Sequence, residues 1–139
     1  MSTTTTAAAG YVLFRLAERR FAAPLDEIRE IVRLTGLESL PGAQPPLAGV
    51  INLRGVPLPV LDVRGAASTT HGDVLVMTVD GDAVGVAVDE VCAVLSSDDL
   101  PAGEPPAKTL PAYVVGVRHH SGDPVLLVDL RRMIQPASA

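Results

Sequence analysis

The segments GVINLRGVPLPVLDVR (residues 49–64) and GVRHHSGDPVLLVDLR (residues 116–131) decide the fold. A Gly-Val start, a turn glycine, a proline and an Asp-x-Arg ending recur in both, at an offset of 67 residues. A second pair, FAAPLDEIREIV (21–32) and VGVAVDEVCAVL (84–95), recurs at an offset of 63. The chain therefore carries an internal duplication. Because halves of this size bury little apolar surface alone, we expect them to share a core.

The stretch around residues 47–63 predicts two strands, about 49–53 and 56–62, joined by a tight turn at Arg54-Gly55. Pro57 and Pro59 lie two residues apart, so their missing N–H groups would face the same neighbour. This predicts that the proline end of the second strand lies at a sheet edge or a barrel opening.

Further strands follow from apolar runs that alternate with turn residues. The pattern predicts hairpins of 11–16 with 21–25 and of 74–79 with 83–88, followed by an apolar element at 91–95 and strands at 113–118 and 124–130. Asp26 is expected to cap a short helical turn with Ile28, Ile31 and Val32 on one side. Residues 130–134 suit a short terminal helix. Roughly ten short strands, five per half, indicate an all-β barrel or sandwich.

Composition and charge limit the class of protein. The 139 residues are 47% hydrophobic and 19% charged, which is typical of one globular domain. A net charge of −5 argues against nucleic acid as a partner. No membrane span or targeting signal is recognisable, so the cytoplasm is the expected compartment. Residues 1–10 and 135–139 are expected to be tails, and residues 11–134 a domain with subdomains at about 11–63 and 74–134.

The sequence gives little support for a catalytic or metal-binding site. Asp62 and Asp129 each follow an apolar strand, which raises a two-carboxylate hydrolase as an outside alternative. Neither lies in the Asp-Ser/Thr-Gly loop that such sites use. His71, His119, His120 and Cys92 lack metal-ligand spacing, so we expect neither a metal nor a cofactor. Arg54, in an exposed turn beside Asn52, instead suggests either a protein-binding surface or a solvated turn arginine.

The chain resembles the CheW family of chemotaxis coupling proteins over roughly residues 11–134. The turn NLRG (52–55) followed by PVLD (59–62) lies at the centre of this resemblance. Further similar blocks occur in the family's order: FRLAERRFAAPLDEIREIV (14–32), SLPGAQPPLAGVINLRG (39–55), GDAVGVAVDEVCAVL (81–95) and VVGVRHHSGDPVLLVDLRRMI (114–134).

The resemblance implies two five-stranded SH3-like β-barrels that share a core, with short helical turns. It also implies a non-enzymatic adaptor that joins the cytoplasmic tip of a methyl-accepting chemoreceptor to the regulatory domain of a CheA-type histidine kinase. The positions matching the family's receptor contacts are Ile28 and Glu30 in the first helical turn, Gly49, Asn52 and Arg54 in the central block, and Val86 and Val88 in the second half. The turn Asp80-Gly81-Asp82 is the expected kinase contact.

Two alternatives to the conventional adaptor stay open. A divergent scaffold or competitor would bind one partner only, whereas the adaptor would bind receptor and kinase together. The hydrolase would lose its activity on substitution of Asp62 by asparagine.

Overall fold

The computed structural model describes residues 10–44, 46–64, 71–101 and 110–134. Within them the chain forms ten strands, a five-residue α-helix and two short 3-10 turns, at Leu25–Glu27 and Ser97–Asp99. The strands are β1 Gly10–Leu16, β2 Arg19–Pro24, β3 Glu30–Arg33, β4 Leu47–Leu53, β5 Val56–Asp62, β6 Asp73–Val79, β7 Asp82–Val88, β8 Glu90–Ser96, β9 Val114–His120 and β10 Asp123–Val128, followed by α1 Leu130–Ile134. The expected tails, 1–9 and 135–139, lie outside the described residues, while Gly10 already belongs to β1.

The strands form two five-stranded sheets, which confirms the all-β prediction. One sheet has the order β8-β1-β2-β10-β9 and the other the order β3-β6-β7-β5-β4. They correspond to two compact units: unit 1 comprises Met1–Asp26 with Val91–Ala139, and unit 2 comprises Glu27–Glu90. No helix among the described residues is long and apolar enough to cross a membrane.

The two sheets have the same topology, and each combines strands from both sequence halves. If the strands of a half are numbered one to five, each sheet takes the first hairpin from one half and strands three, four and five from the other. The parallel contacts β2–β10 and β5–β7 join the two contributions. The duplication predicted from the sequence is therefore also present in the order of the strands. The compact units, however, differ from the expected subdomains at 11–63 and 74–134, and sharing of a core stays a prediction.

Hairpin turns follow the local sequence. β4 and β5 are joined by Arg54-Gly55, β6 and β7 by Asp80-Gly81, and β9 and β10 by Ser121-Gly122. In each, the first residue has φ of 52 or 53° and the glycine has φ between 85 and 88°. Two-residue loops with both residues in the left-handed region match the twist of antiparallel strands, so these dipeptides fix the register of the hairpins.

Each sheet is closed by the segment that follows its edge strand β3 or β8. In unit 2, Glu38 forms an isolated bridge with Val50 of β4, through N–H to O contacts of 2.9 Å in both directions. In unit 1, the N–H of His119 in β9 donates to the carbonyl of Pro101 at 2.9 Å. This pairing of the two ends of a sheet gives each unit a barrel-like shape.

Each barrel has its own apolar cluster. The cluster of unit 2 includes Leu34, Ile51, Leu58, Val60, Val74, Val76 and Ala87. The cluster of unit 1 includes Leu13, Ala22, Leu100, Val125 and Leu127. Aliphatic side chains dominate both, as the low aromatic content predicts.

One local prediction needs correction. The expected helical turn through Ile28, Ile31 and Val32 is instead a 3-10 turn at Leu25–Glu27, and the chain then enters β3. Alternating exposure along 30–33 fits a strand at the end of a sheet as well as it fits a helix.

β5 is an interior strand of the sheet, but its proline end lies outside the pairing with β7, in agreement with the prediction for Pro57 and Pro59. Pro57 and Pro59 lie opposite Asn52 and Val50 of β4, whereas pairing of β5 with β7 begins only at Val60. The proline end of β5 therefore extends past its second neighbour, and no ladder hydrogen bond is lost there.

Candidate functional site

Arg54 projects from the β4–β5 turn of unit 2. Its backbone is left-handed, with φ of 52°, a region that non-glycine residues occupy at a cost of about 1 kcal/mol. The turn is held by Asn52, whose side-chain oxygen accepts the N–H of Gly55 at 2.6 Å. With 69% of its side chain exposed, Arg54 is available to a partner, as expected from the sequence.

Glu30 fixes the direction of the Arg54 side chain. Nη1 and Nη2 of Arg54 donate to Oε1 and Oε2 of Glu30 at 3.0 and 2.5 Å, a bidentate arrangement. Glu30 begins β3, which lies at the opposite end of the sheet order from β4. The pair therefore joins the two ends of the sheet, as the Glu38–Val50 bridge also does.

Electrostatics follow from this geometry. The hydrogen bond from Arg54, together with its charge, lowers the pKa of Glu30 below the ordinary value of 4.5 and raises the pKa of Arg54. A carboxylate with a lowered pKa contributes its stabilisation at full strength above pH 4.5 and loses it as the pH falls through the lowered pKa. The pair is therefore intact at neutral pH.

A cleft of about 250 Å³ adjoins the turn. It is lined by Gly36, Glu38, Val50, Ile51, Asn52, Gly55 and Pro57. Val56, the next residue after the turn, is an apolar side chain with 63% exposure. We call Glu30, Asn52, Arg54 and Val56, with this cleft, the Arg54 surface. A charged anchor beside exposed apolar surface and a concavity is typical of protein-binding sites.

The expected kinase contact lies at the same end of the unit 2 sheet. β5 and β7 run parallel, so the turns that precede them, Arg54-Gly55 and Asp80-Gly81, project from one end of adjacent strands. Asp80, Gly81 and Asp82 are all exposed. The structure thus brings together the two turns that the sequence analysis assigned to different partners.

Three of the residues expected to bind a receptor are buried. Val86 and Val88 have no exposed surface, and Gly49 is also buried. Gly49 lies in β4, and Val86 and Val88 lie in β7, on the face opposite to Ala87, which belongs to the unit 2 apolar cluster. That these three residues contact a partner stays a prediction. Ile28 and Glu30 are partly exposed, but outside any helix.

Gly49 also has a structural role. An added Cβ would collide with the carbonyl of Glu38, at the bridge that closes the barrel. We expect Gly49→Ala to lower the free energy of unfolding by about 2–4 kcal/mol, because the bridge must separate. Urea denaturation measures this.

The control for this substitution is the equivalent glycine of unit 1. At Gly116 an added Cβ would meet Leu127 Cδ1 at 3.3 Å, a flexible side chain that can shift. Gly116→Ala is therefore expected to cost less than about 1 kcal/mol. Equal costs at the two positions would contradict the role given to the Glu38 carbonyl.

A partly buried ion cluster around Arg64 lies at the other end of the unit 2 sheet, and the sequence analysis did not predict it. Arg64, with 3% of its side chain exposed, binds both carboxylate oxygens of Asp62, through Nε at 3.0 Å and Nη2 at 2.9 Å. Its Nη1 donates to the carbonyl of His71 and lies 3.9 Å from Asp89. The guanidinium thus links the ends of β5 and β7 to the start of β6. The repeated Asp-x-Arg pattern was the available signal.

Both aspartates of the hydrolase hypothesis have structural partners. Both carboxylate oxygens of Asp62 accept hydrogen bonds from Arg64. Asp129 caps α1, since its Oδ1 accepts the N–H groups of Arg131 and Arg132 at 3.0 and 3.4 Å. Asp62 belongs to unit 2 and Asp129 to unit 1. The arrangement gives the hydrolase hypothesis no support.

An arginine held in one direction beside a cleft on a β-barrel is an arrangement typical of protein-interaction modules. The CheW-like domain model matches residues 10–138, so the chain belongs to the CheW-like domain family.

Individual relatives agree with this membership. The chain is 32% identical over 94 residues to a chemotaxis protein CheW of Rhizobium meliloti, a match covering 63% of this chain and 61% of that protein. It is 38% identical over 56 residues to Protein PilI of Pseudomonas aeruginosa, covering 40% of this chain and 32% of that protein. The chain thus spans less than two thirds of the length of the curated relatives it matches.

A solved structure shows the same fold. The scaffolding protein TtCheW from Thermoanaerobacter tengcongensis superposes with a TM-score of 0.75 at 22% identity, over 97% of this chain and 93% of that one. The two five-stranded barrels implied by the resemblance are therefore confirmed as the fold.

Proposed function

We propose that the protein is a non-enzymatic adaptor that couples the cytoplasmic tip of a chemoreceptor to the regulatory domain of a CheA-type histidine kinase. The Arg54 surface supports this proposal most directly, because it offers an arginine held in one direction beside exposed apolar surface. Membership of the CheW-like family supports the chemotaxis setting. The proposal places the protein in the cytoplasm, bound to receptor arrays through its partners.

In this proposal the chemistry is bridging. An adaptor that holds two partners raises their effective concentration, so modest individual contacts can give tight assemblies and coupled responses. The receptor would contact Arg54, Asn52 and Glu30, with Ile28 beside them, while the turn Asp80-Gly81-Asp82 would contact the kinase.

A divergent scaffold or competitor that binds one partner at a time is the second candidate. The position of the turns Arg54-Gly55 and Asp80-Gly81 at one end of adjacent strands favours it, because large partners at both turns would crowd each other. Titration of the protein into a mixture of receptor and kinase separates the two functions. An adaptor raises kinase activity, whereas a one-sided binder lowers it or leaves it unchanged.

Arg54→Glu is expected to abolish receptor binding and to leave the fold intact. The substitution places two carboxylates against each other at an exposed site, which removes the anchor without disturbing the core. Co-sedimentation with membranes bearing the receptor measures binding, and circular dichroism checks the fold.

Two control variants make the result specific. Arg33→Glu makes the same charge change in unit 2 at a side chain with 79% exposure, and should leave binding unchanged. The double variant Glu30→Arg with Arg54→Glu restores an ion pair between these two positions, but it places glutamate instead of arginine in the turn. Recovery of binding in the exchanged protein would show that the pair only holds the loop.

A further inference from the structure

One side-chain hydrogen bond spans the β4–β5 turn. Oδ1 of Asn52 accepts the N–H of Gly55 at 2.6 Å, across the residue that the turn presents, Arg54. The nitrogen of Gly55 belongs to the peptide group that begins at the carbonyl carbon of Arg54, and this group is planar. Holding that N–H therefore limits rotation about the Cα–C bond of Arg54.

The glycine of this turn gives the peptide group no stiffness of its own. Gly55 is exposed, with φ of 88°. A Cβ added there would have none of the described residues within 4 Å apart from its neighbours in the chain. Glycine adopts a wide range of backbone angles, and open space around it leaves those angles unrestrained by packing. The side chain of Asn52 supplies the restraint that packing does not.

The fold does not require an asparagine for a turn of this type. The equivalent turn of unit 1, Ser121-Gly122, has φ of 53 and 85°, close to the 52 and 88° of Arg54-Gly55. His119 occupies the position in unit 1 that Asn52 occupies in unit 2. The backbone conformation therefore forms with either residue. The unit 2 turn differs in carrying a long charged side chain that a partner can contact.

Arg54 is also held at its far end. Nη1 and Nη2 donate to the two carboxylate oxygens of Glu30 at 3.0 and 2.5 Å. An arginine side chain has several rotatable bonds, so a contact at the guanidinium alone leaves the path of the side chain open. Asn52 restrains the backbone from which the side chain leaves, and Glu30 restrains the guanidinium. The two restraints together give the side chain one direction.

The bond from Gly55 to Asn52 contributes little to folding stability. Both residues are exposed, and water competes for an exposed hydrogen bond, so its net contribution is small. Its consequence is instead for the direction of Arg54. A side chain that is ordered before binding loses less conformational entropy when a partner arrives.

We propose that Asn52 is a positioning residue for Arg54: it holds the peptide group that follows Arg54 and so aligns the guanidinium with Glu30 for a partner. The inference rests on the proposed function of the Arg54 surface, but the alignment itself is a property of the free protein. It gives Asn52 a role in binding that does not depend on a contact between Asn52 and the partner.

NMR relaxation of the Arg54 Nε–H group in the full-length protein tests the alignment without any partner. Asn52→Ala removes the acceptor, Asn52→Asp keeps one, and His119→Ala makes the corresponding change in the unit 1 turn. We expect the order parameter of Arg54 Nε–H to fall in Asn52→Ala and to keep its parent value in Asn52→Asp and His119→Ala. Thermal unfolding confirms that each variant is folded.

The titration of Glu30 is a second reporter of the alignment. The hydrogen bond and the charge of Arg54 lower the pKa of Glu30, and the charge of Arg29 adds to this. Because Arg29 is unchanged in Asn52→Ala, misalignment of Arg54 should raise the Glu30 pKa part of the way to its value in Arg54→Gln. NMR of the carboxyl carbon measures this pKa. An unchanged Arg54 order parameter or an unchanged Glu30 pKa in Asn52→Ala would each overturn the proposal.

Co-sedimentation with membranes that bear the receptor links the alignment to binding. Asn52→Ala should weaken binding by about three-fold to ten-fold, because the partner must then order the Arg54 side chain, while His119→Ala should leave binding unchanged. Unchanged binding by an Asn52→Ala protein in which Arg54 is mobile would overturn the role in binding. Failure of the parent protein to sediment with the membranes would contradict the proposed function instead, while the relaxation of Arg54 still decides the positioning.

Discussion

Arg64→Ala is expected to lower the free energy of unfolding by about 3–5 kcal/mol, a large share of the stability of a small domain. The substitution leaves the Asp62 carboxylate nearly buried without its bidentate partner. It also removes the hydrogen bond from Arg64 to the carbonyl of His71, so the guanidinium no longer connects β5, β6 and β7. Urea denaturation followed by circular dichroism measures the change.

The duplication supplies the control for Arg64. Arg131 occupies the equivalent position in the second half but is exposed, and Arg131→Ala should cost less than about 1 kcal/mol. The double variant Asp62→Leu with Arg64→Met removes both charges together and should recover most of the loss. If the single and double variants are equally unstable, the buried charge of Asp62 is not the cause.

Neither sequence half is expected to fold alone when the chain is cut between Ala67 and Ser68. Each half retains two isolated hairpins and one strand, β3 or β8, whose sheet partner belongs to the other half. The pairings β1–β8, β2–β10, β3–β6 and β5–β7 all join the halves. Isolated hairpins are marginal in water, so cooperative unfolding should be lost in each half.

Mixing the two halves should restore cooperative unfolding. Because every lost pairing joins one half to the other, the fragments are expected to form a one-to-one complex with a cooperative transition, seen by size exclusion and thermal unfolding. A fragment of residues 27–90 is the control, since it carries all five strands of its sheet in one segment. Cooperative unfolding of residues 1–67 alone would contradict the observed strand exchange.

Local features of the fold could be predicted from the sequence. Apolar alternation located the strands, and Arg54-Gly55 and Asp80-Gly81 marked the turns, because turn chemistry depends on adjacent residues only. The terminal helix at Leu130–Ile134 was also correct. Strand partners outside the hairpins could not be predicted, since a period of two shows which face a strand buries and not which strand lies beside it.

The candidate site was predicted in part for the same reason. Arg54 and Asn52 lie in a turn, where exposure follows from the local sequence. Val86 and Val88 lie in β7, where alternation is lost because residues 85–88 are all buried, so their burial depends on tertiary packing. The contact of Glu30 with Arg54 joins residues 24 apart in sequence, which no local pattern encodes.

A single half, joined to a second copy of itself by the same pairings, would make a homodimer with two identical barrels. Every substitution in such a dimer appears twice, so neither barrel could specialise. Tethering both copies in one polypeptide removes that restriction. Ser121 and Ala93 of unit 1 occupy the positions that Arg54 and Glu30 occupy in unit 2. Covalent linkage thus lets two barrels of one topology carry different side chains at equivalent positions.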